Sequence, residues 1–309
     1  MQLGVFAKHI SRATPEELFG VIAGFGLNCT HFNAACLGIP SLPEQIEYAL
    51  WNRAARAARS AGVRIVGLSA TFNLLDENKL RLEDNFRRLE VLAQGAVILG
   101  TDLLTLCSGT RNQEDLWTSH PQNQSSAAWE EMIEAMRRAL EVAIKYDLTL
   151  GIEPEVANVV SNANDGARLI GELASNRIRI VFDPANLYRP PADPRRDSNV
   201  ITDALRLLGD RVAMAHCKDI AAPARQGATH RHGDTLYTHA AAGTGILNYR
   251  HYISELRRVL SKDIPLILHG LSEEQIPSSV AFVRRCLSEL GTAVPGSQNP
   301  SGAVCRART

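Results

Sequence analysis

Leu148-Thr149-Leu150-Gly151-Ile152-Glu153-Pro154-Glu155, Ile178-Arg179-Ile180-Val181-Phe182-Asp183-Pro184 and Val212-Ala213-Met214-Ala215-His216-Cys217-Lys218-Asp219 are three short apolar runs. Each leads into a side chain able to ligate a metal. Each also has the length and character of a strand buried on both faces. The polar residue stands where the strand is predicted to give way to a loop. Glu153, Asp183 and His216, delivered from three consecutive strand ends, therefore read as one divalent-metal site, provided the scaffold brings those ends together.

Outside this stretch the same alternation repeats. Further strands are predicted at 3–7, 28–32, 64–70, 103–107 and 265–268. The three runs above supply strands at 148–152, 178–182 and 212–215. Helices are predicted from Pro15, with Thr14 as N-cap, and at 43–61, 84–99, 127–146, 165–173, 200–208, 249–260 and 277–290. The segment 221–245 reads as a loop. Eight strand–helix units with no break in composition imply a parallel sheet and fit one closed barrel. The expected fold is therefore α/β, a single (β/α)8 TIM barrel over residues 1–290, with a flexible Gly/Ser/Pro-rich tail at 291–309. A doubly wound open sheet is the competitor, but the Gly-x-Gly-x-x-Gly turn after the first strand is missing. Barrel active sites lie at the C-terminal ends of the strands, so Glu153, Asp183 and His216 are expected on one face.

Composition narrows the function. The 309 residues hold 33 Lys plus Arg against 33 Asp plus Glu. This balance lacks the basic footprint of a nucleic-acid binder. No apolar run approaches a membrane span, and the first residues read directly as a strand with no basic leader, so a cytoplasmic protein is expected. Cys29, Cys36, Cys107, Cys217, Cys286 and Cys305 form no Cys-x-x-Cys pair, which points to reduced, structural thiols. Two carboxylates and an imidazole suit Mn²⁺, Mg²⁺, Co²⁺ or Zn²⁺ rather than soft-metal chemistry. A single carboxylate at a strand end is ordinarily a cap or an ion-pair partner; three at successive strand ends favour a metal.

Gly151-Ile152-Glu153-Pro154, Phe182-Asp183-Pro184-Ala185-Asn186, His216-Cys217-Lys218-Asp219 and Ala242-Gly243-Thr244-Gly245-Ile246-Leu247-Asn248-Tyr249 follow one another in order. Together they resemble the xylose-isomerase-like TIM-barrel superfamily of sugar isomerases, ketose 3-epimerases, inosose dehydratases and endonuclease IV. The resemblance implies a metal held by a Glu, an Asp, a His and a second Glu, the first three matching Glu153, Asp183 and His216. The fourth position departs from the pattern: His269 follows the last strand, as fourth ligand or acid/base. Asn186 stands where epimerases commonly carry a substrate-binding His. Lys218 is expected to neutralise charge beside the metal.

The long polar segment 108–126 reads as a lid or binding loop. Arg111, Trp117 and His120 in it, and Asn73 after the third strand, are the substrate-binding candidates. His230, His232 and His239 invite a multinuclear zinc reading, which the balanced charge disfavours. The expected activity is a metal-dependent isomerase or epimerase on a keto-sugar or polyol-derived ketone, working through α-proton abstraction and an enediolate. Glu153 would be the base, and His269 or Lys218 the proton relay. A dehydratase or lyase is the alternative; an endonuclease-IV-like phosphodiesterase and a non-catalytic sugar-binding subunit rank lower. The expected partner is a small sugar or keto-sugar, not nucleic acid or membrane, and a homo-oligomer is left open.

Overall fold

Eight parallel strands close into a barrel: β1 (Gln2–Phe6), β2 (Cys29–Phe32), β3 (Arg64–Ser69), β4 (Leu103–Leu106), β5 (Thr149–Ile152), β6 (Ile178–Phe182), β7 (Val212–Ala221) and β9 (Pro265–Leu268). Neighbours pair in chain order, and β9 closes the ring between β7 and β1. The computed structural model describes residues 1–188, 192–221, 237–260 and 263–291. Helices α1 (Pro15–Gly24), α2 (Tyr48–Ser60), α3 (Lys79–Leu99), α4 (Ser126–Lys145), α5 (Ala163–Leu173), α6 (Asn199–Leu208), α7 (Tyr249–Val259) and α8 (Ile276–Gly291) form the outer layer. This is the (β/α)8 arrangement expected from the alternation. Among the described residues no helix is long and apolar enough to cross a membrane.

The period of two along a strand sorts side chains between two cores. Leu150, Ile152, Ile178, Ile180 and Leu266 join the large core shared with the helices. Phe6, Cys29, Leu103, Val181, Met214 and Ile267 form a smaller cluster inside the barrel. Local signals set the helix ends. Thr14 and Glu17 form a reciprocal capping box at α1, and Asn78, Ser125 and Asn162 cap α3, α4 and α5.

Three expectations about elements are corrected. The second helix starts at Tyr48, not Pro43; the segment before it bends, with Arg88 holding the Leu42 carbonyl and the Glu44 carboxylate. The third starts at Lys79, one turn before 84, under the Asn78 cap. The segment after the seventh strand is not simply a loop. β7 runs on to Ala221, and β8 (Thr238–Ala241) pairs antiparallel with it, Lys218 opposite Ala241 and Ala221 opposite Thr238. His216 and Lys218 thus sit within a strand, where their alternation lets both face inward. His239 lies on β8, while His230 and His232 fall outside the described residues, as does the tail from residue 292.

Candidate metal centre

Strand phase builds the centre. Gly151, Val181, Met214 and Ile267 alternate with outward residues on β5, β6, β7 and β9, so two positions later Glu153, Asp183, His216 and His269 share the inward phase. Asp183, His216 and His269 each offer a ligand atom, all within 4.8 Å of one another. His216 Nδ1 stands 3.4 Å from Asp183 Oδ2 and 3.5 Å from Glu153 Oε1. The His216 and His269 rings stack at 4.7 Å. Asp183, His216 and His269 thus come together as one group, and Glu153 stands beside it through His216.

Polar neighbours fix these groups. Asn186 donates from Nδ2 to Glu153 Oε1 and to the Pro154 carbonyl, both at 3.1 Å. Its Oδ1 accepts from Lys218 Nζ at 3.5 Å. Lys218 Nζ is 3.2 Å from Asp183 Oδ2. Asp183 Oδ1 accepts from the Ala185 amide. Tyr252 and Tyr249 on α7 donate their hydroxyls to the carbonyls of His216 and Lys218, which pins the stretch of β7 that carries both residues.

The charges are mutually dependent. Burial pushes the Asp183 carboxyl up, but Lys218 and His216 outweigh it and hold Asp183 below the usual carboxylate range. Burial lowers His216, and the Glu153 and Asp183 carboxylates more than offset that, raising it to about 9. Lys218 is likewise raised: burial opposes the charge, while Asp183, Glu155 and Glu153 favour it. His269 is held well below its ordinary value, by burial first and then by the surrounding positive charge.

A divalent cation fits this set. His216 Nε2 and His269 Nδ1 are both buried and have no hydrogen-bond partner among the described residues. Leaving such atoms unmatched costs about 1–3 kcal/mol each. The two carboxylates stand on the Nδ1 side of His216, where a proton on that ring holds the position of positive charge. Hard oxygens and borderline imidazole nitrogens are the donors that Mg²⁺, Mn²⁺, Co²⁺ and Zn²⁺ accept.

The other substrate-binding candidates have different surroundings. Asn73 donates to the Thr110 carbonyl and accepts from the Leu75 and Thr110 amides. Arg111 pairs with Glu131 on α4. His120 Nδ1 accepts from the Gln122 amide. All three hold the loop after β4 in shape. Trp117 is 38% exposed on that loop, not buried beneath it. Asn123 ties the loop to its neighbour, accepting from the Arg111 amide and donating to the Ala157 carbonyl.

Four residues near the centre escaped the sequence reading. Glu155 is 7% exposed; burial pushes its carboxyl up to about 7 against the opposing pull of Lys218. His31 bonds Thr105 through Nε2 at 2.9 Å and stacks on Phe6. His9 accepts the Gly270 amide at Nε2, beside His269. Lys8 stands over the Phe6 ring. The inward phase of Cys29 marks His31 as a buried polar residue, and this was the available signal.

The geometry has counterparts among known folds. By structure the chain is similar to 3-keto-D-glucoside 4-epimerase YcjR from E. coli (TM-score 0.70, 14% identity, 93% of this chain and 100% of that one). It is also similar to the probable 3-DHS dehydratase AsbF of petrobactin synthesis from Bacillus anthracis (TM-score 0.69, 15% identity, 92% and 98%). A third is endonuclease IV from Thermus thermophilus (TM-score 0.67, 18% identity, 94% and 100%). Such identities show the fold alone. No curated protein matches by sequence. A family model described as xylose isomerase-like TIM barrel matches residues 22–286, and the chain belongs to that family.

Proposed function

We propose that the chain is a divalent-metal-dependent isomerase or epimerase that moves the α-proton of a keto-sugar or polyol-derived ketone. The observation that carries this reading is the grouping of Asp183, His216 and His269 ligand atoms within 4.8 Å of one another, with Glu153 beside His216, at the C-terminal mouth of the barrel. These four side chains would hold the ion. Bound there, a divalent ion would supply Lewis-acid polarisation of a carbonyl oxygen and charge stabilisation at the adjacent carbon.

Glu153 is the base in this reading. Its side chain keeps 16% exposure whereas that of Asp183 is closed off, and Asn186 orients it through Oε1. Asp183 fixes Lys218, whose raised pKa keeps a full positive charge facing the site. Lys218 opposes developing oxyanion charge, and its ammonium is the group placed to return a proton, while His269 serves the ion. The epimerase likeness supports this chemistry. Loss of a β-oxygen from the same carbanion would make the enzyme a lyase, and the dehydratase likeness supports that second reading. It is favoured by one local feature: His269 stands where a second carboxylate would complete a two-base site. The balanced charge of the chain supports a small-molecule substrate over nucleic acid.

The test is α-proton exchange into deuterated water, followed by NMR across a keto-sugar panel. The metal-loaded protein should exchange the proton, and Glu153→Gln should lose both exchange and turnover by at least about 10²-fold. Undiminished exchange in Glu153→Gln would remove Glu153 from the role of base.

A further inference from the structure

Lys8 sits on the short turn Ala7–His9 that directly follows β1, the strand beside β9. Its ammonium lies 4.5 Å from the centroid of the Phe6 ring. The same ring stacks against His269 at 5.4 Å and against His31 at 4.1 Å. Lys8 is therefore one ring away from a metal-ligand candidate, at the C-terminal mouth of the barrel. The side chain is exposed, so a ligand entering the mouth meets it.

Lys218 is matched by Asp183, and on other segments Arg12 is matched by Glu273 and Arg111 by Glu131. Among the described residues no carboxylate pairs with Lys8, whose ammonium lies against the Phe6 ring. A divalent ion together with Lys218 would offset the carboxylates of Glu153 and Asp183 and whatever charge Glu155, raised to about 7, carries. The charge of Lys8 is then surplus, held at the mouth beside a partly desolvated aromatic face. Burial of the ammonium end lowers its pKa from the ordinary value; of the surrounding charges, Glu153 favours its proton and Lys218 opposes it.

We propose that Lys8 is a specificity-determining residue, and that the substrate carries an anionic group, a carboxylate or a phosphate ester, which Lys8 receives while the polyol or ketone oxygens lie toward Glu153 and His269. This deepens the α-proton-transfer reading and rests on it for the position of the reacting carbon. The charge preference itself can be read without turnover.

The experiment is equilibrium binding of three matched polyols to the metal-loaded protein at low salt: sorbitol, gluconate and sorbitol 6-phosphate. A charge-assisted hydrogen bond corresponds to a preference of roughly 10- to 100-fold for an anion over sorbitol. Preference for gluconate would assign a carboxylate, and preference for sorbitol 6-phosphate a phosphate ester. Lys8→Met should erase the preference, Lys8→Arg should keep most of it, and added salt should weaken it. A preference that survives in Lys8→Met would place the anion on the ion or on Lys218 and overturn the proposal. Equal affinity for the three polyols, or no binding of either anion, would overturn it too. Failure of α-proton exchange with the charge preference intact would instead remove only the reaction.

Discussion

At the residue scale the centre depends on one buried ion pair. Lys218 is 2% exposed and Asp183 3% exposed, and breaking such a pair from one side leaves an unmatched buried charge. Asp183→Asn should therefore lower stability by about 3 kcal/mol or more, read from the denaturant midpoint at constant m-value. A smaller loss for Lys218→Met at the same pH would be in keeping, since metal or His216 can still match Asp183. His9 gives a pH signature. Burial, then the nearby charges of Lys8, His216 and Lys218, lower it to about 4, against about 6.5 in an unfolded chain. The unfolded chain takes the proton first, so stability is full above about pH 6.5 and declines as pH falls toward 4. His9→Gln, which keeps an acceptor for the Gly270 amide, should lessen that decline, the rest belonging to His31 and His269, which burial also lowers; an unchanged slope would show that His9 takes no part in it. Glu153, Asp183, His216 and His269 were legible because each follows an apolar run in the right phase. Lys8 and His9 were not, because a cation after a strand looks like any solvated turn. Glu155 was quoted in the first run, but its burial comes from the packing of a loop, which leaves no local trace.

At the element scale β7 and its turn form the most constrained segment. Asp219 accepts the amides of Ile220, Gly243, Gly245 and Leu247. This carboxylate, raised by burial despite those four donors, explains the Ala242-Gly243-Thr244-Gly245 motif. A Cβ on Gly245 would lie 2.2 Å from Asp219 Oδ1. Gly243 has φ +88° and would press its Cβ into the Phe282 ring. Asp219→Ala leaves four amides without an acceptor and should cost on the order of 3 kcal/mol, measured by chemical denaturation. A loss below about 0.5 kcal/mol would show that the turn holds without the carboxylate. The motif was legible; its anchor was not, since Asp219 reads as part of a polar turn. The length of β7 was hidden for the same reason. Polar residues facing the barrel mouth break the apolar run that marks a strand, although the hydrogen-bonded ladder with β9 continues through Cys217 and Leu268.

At the scale of the whole molecule, closure does the work that no single motif does. Glu153 and His269 are 116 positions apart in the chain, yet both lie in the cluster around His216 because eight parallel strands return to their start. The alternation of strands and helices made that closure legible, as did the phase of the strand residues. The role of the loop after β4 was harder to read: composition marks it as polar, but whether Arg111 and Asn73 reach inward depends on partners such as Glu131 and Thr110 that the fold supplies. The central claim, that the four inward residues form a divalent-metal centre, is tested most directly by metal stoichiometry. Purified protein loaded with Mn²⁺, Co²⁺ or Zn²⁺, passed through gel filtration and analysed for elements, should retain one ion per chain, and the folded double variant Glu153→Gln/His269→Ala should retain far less. Equal retention by both proteins, or none by the unaltered chain with any of the three ions, would contradict the account.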